Sequence, residues 1–211
     1  MKKISDAVMA ILLTAFLISG AVMVTLACRP LYYLDIKTLH IAEESGYSEA
    51  EIRENYDVLI DYNLLPWQKE LEFPTMSMSE HGKIHFQEVK VIFQLFQITF
   101  VSSFLLMMVG IFLKRKKREY GYLKWAGFLT IGIPTVIGIF VAVCWDQVFV
   151  WFHELVFRND YWLFDPATDP VITILPDAFF MHCAMMILTI VLVGAVVCLF
   201  LWHHLTKRCS K

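Results

Sequence analysis

Four stretches of the chain carry no Asp, Glu, Lys or Arg: Ala7–Cys28, Val91–Leu113, Trp125–Trp145 and Ala178–Trp202. Crossing the hydrocarbon core of a bilayer takes about 20 helical residues, and each stretch is long enough. No water is available at that depth for backbone N–H and C=O groups, so each stretch is expected to be a helix. The expected fold class is therefore an all-α membrane protein with four transmembrane helices. In the second stretch Gln94, Gln97, Ser102 and Ser103 suit a helix interface better than lipid. In the third, Pro134 with Gly127, Gly132 and Gly138 predicts a kink and close packing.

The polar residues fall into segments between these helices, at 29–90, 114–124, 146–177 and 203–211. Lys2, Lys3, Lys114, Arg115, Lys116, Lys117, Arg118, Lys124, Lys207, Arg208 and Lys211 lie on one side, making 11 of the 18 basic residues. The other side holds every acid except Asp6 and Glu119, which is 18 of the 20. The positive-inside rule then places both termini and the 114–124 loop in the cytoplasm. Segments 29–90 and 146–177 are left to form a small extracytoplasmic cap. The start of the chain, with Lys2-Lys3 and Thr25-Leu26-Ala27-Cys28, faintly resembles a lipoprotein signal sequence. Thr25 stands where an aliphatic residue would be expected, and the apolar stretch exceeds a signal core of about 7–15 residues. It is expected to remain as an anchor.

Within the cap, Ser48-Glu49-Ala50-Glu51 fits a capping box, and Ile52, Tyr56, Leu59 and Ile60 follow as a stripe at helical spacing. Pro66 and Pro74 predict an irregular course for Leu65–Met78. Segment 29–90 has too few aliphatic positions to build a core alone, so it is expected to pack on segment 146–177. That second segment is crowded with rings: Phe149, Trp151, Phe152, Phe157, Tyr161, Trp162 and Phe164. An interfacial aromatic belt explains part of this. A pocket for acyl chains is the other reading.

A net charge of −2 gives no reason to expect a nucleic-acid partner. The basic run Lys114–Arg118 is explained by its place between two spans. Cys28, Cys144, Cys183, Cys198 and Cys209 form no CxxC pair and no disulfide framework. Asp160, Asp165 and Asp169 lack the central glycine of a calcium loop, so turn and capping roles are expected with Pro166 and Pro170. No metal and no cofactor is predicted.

Among seven histidines, His203 and His204 sit at the end of the fourth stretch, His182 suits a buried hydrogen-bonded role, and His40 and His81 have no supporting pattern. His85 and His153 differ in their depth. If both flanking helices simply continue, each imidazole lies roughly 10–12 Å beyond its apolar stretch. Two rings at one depth can supply a base and an acid together. Ordinary interfacial histidines are the competing reading. Glu88, one turn after His85, could orient an imidazole or a substrate amine, or simply be solvated. Ser77 and Ser79 have no motif that would support a nucleophile.

Tyr32-Tyr33-Leu34-Asp35-Ile36, the stretch His85-Phe86-Gln87-Glu88-Val89-Lys90 and the run from Phe152 to Phe180, in this order among four spans, resemble the lipoprotein intramolecular transacylase (Lit) family of Gram-positive bacterial membrane proteins. The resemblance covers nearly the whole chain. It implies an acyltransferase in the bacterial cell membrane with a diacylglyceryl lipoprotein as substrate, set among membrane lipid. No external acyl donor is needed. The sn-2 acyl chain would move to the α-amino group of the same lipoprotein's N-terminal cysteine, giving the lyso-form. His85 and His153 would be catalytic. Glu88, Trp151, Phe152, Asn159, Asp160 and Trp162 would contact substrate. A non-catalytic accessory or sensor protein, binding a lipid or partner through its cap, is the alternative. A transporter is disfavoured by spans without charge.

Overall fold

The computed structural model describes residues 2–209, apart from the side chains of Lys2, Lys116, Ile133 and Cys209; Ser210 and the basic Lys211 lie outside the described residues. All regular structure among them is helical: α1 (Lys2–Ala27), α2 (Arg29–Thr38), α3 (Ile41–Ser45), α4 (Glu49–Leu64), α5 (Glu80–Lys116), α6 (Gly121–Val143), α7 (Trp145–Val156), α8 (Val171–Ile174) and α9 (Asp177–Cys209). Four of these, α1, α5, α6 and α9, are long and apolar enough to cross a membrane. The helices outrun the charge-free stretches: α5 begins at Glu80, well before Val91. The third stretch behaves differently. α6 ends at Val143, and Cys144 leaves helical geometry (φ −136°, ψ 45°) before α7 begins at Trp145.

The chain divides into two compact units. One comprises the described residues of Met1–Met23, Phe96–Ala142 and Met185–Lys211. Its core gathers Met9, Ala10 and Leu13 of α1, Met107 of α5, Tyr122, Leu123 and Ala126 of α6, and Cys198 of α9. Polar groups inside it meet one another. The Thr14 and Thr130 hydroxyls are 3.1 Å apart, and buried Lys114 reaches Asp6 at 2.5 Å and Glu119 at 3.6 Å. A Cβ on Gly127 would stand 2.7 Å from Leu199, and one on Gly138 3.3 Å from Leu188, so these glycines do admit close neighbours. Gly132 has open space around it, and the expectation of close packing fails there. Ser103 is buried as expected for an interface, whereas Ser102 is exposed and turns its hydroxyl back to the Thr99 carbonyl. That bond removes the cost of a bare hydroxyl at an apolar surface.

The other unit, Val24–Leu95 with Val143–Ala184, contains the cap segments. Neither segment makes the core alone. Tyr32, Ile36, Ile41, Ile52, Tyr56, Leu59 and Ile60 from the first are packed with Val171, Ile174 and Leu175 from the second and with Phe179 at the start of α9. The capping box forms: Ser48 Oγ accepts the Glu51 N–H, and the Glu51 carboxylate accepts the Ser48 N–H. The Ile52–Tyr56–Leu59–Ile60 stripe is the buried face of α4. The two segments are joined by the Tyr32 hydroxyl, which donates to the Ile174 carbonyl at 2.6 Å. Lys90 of α5 is buried and donates to the carbonyls of Tyr62 at 2.5 Å, Leu65 at 3.1 Å and Gln68. It fastens the end of α4 and the irregular segment after it onto α5, because an ammonium donor can satisfy several carbonyls that a helix end leaves open.

Candidate active site

α5 carries His81, His85 and Glu88 at i, i+4 and i+7, a spacing that puts all three on one stripe. The start of α5 is held in place from the second cap segment. Asp169, almost fully buried, accepts the Ser79 N–H at 2.7 Å, and Ser79 Oγ accepts the Gly82 N–H at 3.0 Å. Asp165 closes a turn by accepting the Ala167 N–H at 2.9 Å. These aspartates serve as the caps and turns expected of them. Ser79 and Ser77 are likewise engaged, the latter with the Thr168 carbonyl at 3.0 Å.

Residues 157–164 run along the α5 stripe and meet it position by position. Tyr161 stacks on His81 with ring centroids 4.1 Å apart. Phe157 and Phe164 set their edges against His85 at 4.7 and 5.3 Å. Asn159 donates its amide to both oxygens of Glu88, at 3.0 and 3.2 Å. The aromatic residues that sequence alone divides between belt and pocket thus pack on the titratable ones.

His85 and His153 face each other, with centroids 6.1 Å apart and ring planes within 29°. They arrive by different routes. His85 is on the uninterrupted N-terminal extension of α5, as the simple continuation predicts. His153 is on α7, which the break at Cys144 separates from α6, so continuation of the third helix is not what places it. Trp162 stacks on His153 at 4.6 Å and Phe152 meets its edge at 5.3 Å. Trp151 and Asp160 are exposed and stand outside this ring stack.

The two imidazoles are electrostatically unequal. His85 is only 6% exposed, and burial, with the neighbouring His153 second, pushes its pKa down to about 4. Desolvation penalises the charged ring, so His85 is neutral at ordinary pH. Its Nδ1 is buried and bonds to no protein group. His153 is lowered too, by burial, but the Phe149 carbonyl and the charge of Asp177 pull the other way. Its Nδ1 lies 2.7 Å from the Phe149 oxygen. A carbonyl only accepts, so Nδ1 carries the proton and the neutral ring keeps its lone pair on Nε2.

Sequence reasoning misses a second pair, half-buried, in which only the acid is enclosed. His182 Nδ1 is 2.9 Å from both oxygens of Asp35, whose side chain is 3% exposed. A partner 147 residues away leaves no local signature; the hydrogen bond expected of His182 forms, but its side chain is 33% exposed, so only its partner is buried. The roles of Phe157 and Phe164 as walls of His85 are also missed. Their density in one short segment is the only signal.

Residues 7–180 match the sequence profile of the family described as lipoprotein intramolecular transacylase Lit. The chain is 34% identical to the membrane integral lipoprotein intramolecular transacylase Lit from Bacillus cereus, and the two structures superpose with a TM-score of 0.97 over 100% of this chain and 98% of that one. Structures of that Bacillus cereus protein with an H85R and an H85A mutation match at TM-scores of 0.89 and 0.90, again at 34% identity, covering 100% of this chain and 95% and 96% of theirs. Among curated proteins no match is found. The four apolar helices are therefore the spans of a multi-pass integral membrane protein. The chain belongs to the lipoprotein intramolecular transacylase family of acyltransferases.

Proposed function

We propose that this protein moves the sn-2 acyl chain of a diacylglyceryl lipoprotein onto the α-amino group of that lipoprotein's own N-terminal cysteine, with His85 and His153 as the catalytic pair. The observation that carries the reading is the convergence of the two rings, 6.1 Å apart, inside walls of Phe157, Phe164, Phe152 and Trp162. The Bacillus cereus protein was prepared with its own histidine 85 replaced, and the histidine of this chain that bears the same number is one of the two. Both termini are on the cytoplasmic side in this reading, and the site faces outward, as the distribution of basic residues requires.

The nucleophile and the ester belong to one molecule. From the amine nitrogen through Cα, Cβ, sulfur, two glyceryl carbons and the ester oxygen to the carbonyl carbon, attack closes a ring of about eight members, which a free lipid seldom adopts. Holding that geometry between rigid rings supplies an entropic advantage. The amine, with a pKa of about 7.7–8.0, arrives largely as ammonium and must first release a proton. That proton goes to bulk water, and Glu88, held by Asn159, offers a carboxylate one helical turn from His85 to orient the free amine. As the nitrogen attacks, its remaining surplus proton passes to Nε2 of His153, the basic position that the Phe149 contact leaves free. The same proton is then delivered to the departing glyceryl oxygen. His85, neutral and buried, donates an N–H to the negative oxygen of the tetrahedral intermediate, where low polarity strengthens the bond. The amide forms, the ester breaks, and the acyl chain never leaves the molecule. The aromatic walls keep out water that would hydrolyse the ester instead.

The test is expression in a bacterium that cannot N-acylate its lipoproteins, with mass spectrometry of their N-terminal peptides. Amide-linked acyl chains on lyso-glyceryl cysteines are the expected product. Diacyl lipoproteins that keep a free amine would reject the proposal.

A further inference from the structure

Beyond His85, on the side away from the apolar stretch of α5, lies a cavity of about 370 Å³ that the acyl-transfer chemistry does not use. Its lining includes Ser79, Glu80, His81, Tyr161, Phe164 and Asp165. Phe164 is shared, since its ring edge abuts His85 and also forms a wall of the cavity. His81 precedes His85 by one helical turn, so the cavity is displaced outward by about 6 Å at 1.5 Å per residue.

We infer that this cavity receives the polypeptide of the substrate, the residues that follow the acylated cysteine, and favours basic over acidic side chains there. The inference rests on the reading of His85 and His153 as the reacting site. With the cysteine amine and the ester at those rings, the acyl chains extend toward the membrane and the polypeptide must leave the other way. A displacement of about 6 Å is spanned by roughly two extended residues at about 3.3 Å each, which brings the second and third residues of the lipoprotein to the cavity. Its lining is acidic, because no Lys or Arg lines it while Asp165 and the exposed Glu80, which Lys83 pairs with at 3.0 Å from outside the lining, do. Asp169 also lines it but is buried and spent on the Ser79 N–H and the Thr168 hydroxyl. The stacked His81 and Tyr161 rings offer a flat side against which an extended backbone can lie.

The experiment uses the full chain in detergent–lipid micelles and three synthetic dipalmitoylglyceryl substrates: cysteine amide alone, Cys-Ser-Lys and Cys-Ser-Glu. Conversion is followed by mass spectrometry. Wild type should show a lower KM for the tripeptides than for the amide, and a kcat/KM about fivefold higher for the Lys than for the Glu peptide, the effect of one or two partly exposed ion pairs. Replacing Glu80→Gln and Asp165→Asn together, both near-isosteric, should bring that ratio to within about twofold. Equal KM for amide and tripeptides, no Lys-over-Glu preference in wild type, or a preference untouched in the double variant would each overturn the inference. No conversion of any of the three by wild type would overturn the transacylase mechanism beneath it.

Discussion

The two imidazoles proposed to react are borne by helices held in opposite ways. The outer part of α5 is locked on three sides: Phe86 is in the cap core, Lys90 grips the carbonyls of Tyr62, Leu65 and Gln68, and Asp169 caps the start of the helix. α7 has no buried residue at all. Leu155 is 85% exposed, and the nearest buried side chain is Phe157, just past the helix end. His85 is thus fixed in space and kept uncharged, while His153 keeps its ring orientation through a bond to its own helix. The fixed ring suits a preorganised donor, whose value lies in not having to move. The less enclosed ring suits proton transfer, which requires it to accept charge and give it up.

The sharpest way to break this comparison is to remove each ring. His85→Ala and His153→Ala should each lower conversion by about 10²–10⁴-fold while the protein still inserts and folds, measured by mass spectrometry of lipoprotein N-termini and by size-exclusion profile. Near-normal turnover in either variant would end the assignment of the pair. Next in size is the anchor of α5. Lys90→Met takes the charged donor from buried carbonyls and should cost about 2–3 kcal/mol in thermal unfolding in detergent.

The inequality of the rings also fixes the pH dependence. The pKa of His85, pushed down to about 4, leaves it neutral from pH 5 upward, and burial shifts His153 toward its neutral form as well. Only the substrate amine then titrates near neutrality. Conversion should rise about tenfold per unit between roughly pH 6 and 7.5 and level off above about 8. A mechanism needing His85 as imidazolium would instead be flat through that range, the loss of imidazolium cancelling the gain of free amine, and would fall above about pH 8. The smallest effect belongs to α7, where Leu155→Ala should change unfolding free energy by less than about 0.5 kcal/mol, because no packing is lost within the protein.

Much of this was open to reading because it depends on local rules. Absence of charge over a bilayer's length marks the four spans, and Ser48 with Glu51 marks a helix start that the structure reproduces. His85 and His153 stand out by distance from an apolar boundary, a one-dimensional quantity. What escaped depends on partners distant along the chain or on geometry without a residue signature. The Asp35–His182 pair and the carbonyl cradle of Lys90 are of the first kind. The break at Cys144 is of the second: Val141-Ala142-Val143-Cys144-Trp145 contains neither Pro nor Gly, so nothing in its composition announces a stop. Gly132 shows the converse error, a small residue in a span with no neighbour to make room for.

One atom described above carries a cost the fold bears continuously. A buried ring nitrogen with no hydrogen bond, such as Nδ1 of His85, forfeits about 1–3 kcal/mol. The resting enzyme is therefore less robust than its own architecture allows, and an apolar ring of similar shape should make it hardier and inert at once. For His85→Phe a melting point a few degrees higher is expected, at about 2–4 °C per kcal/mol. With His85 acting as proposed, thermal endurance and catalytic competence pull this position in contrary directions, so screening for heat-tolerant variants alone would drive the histidine out.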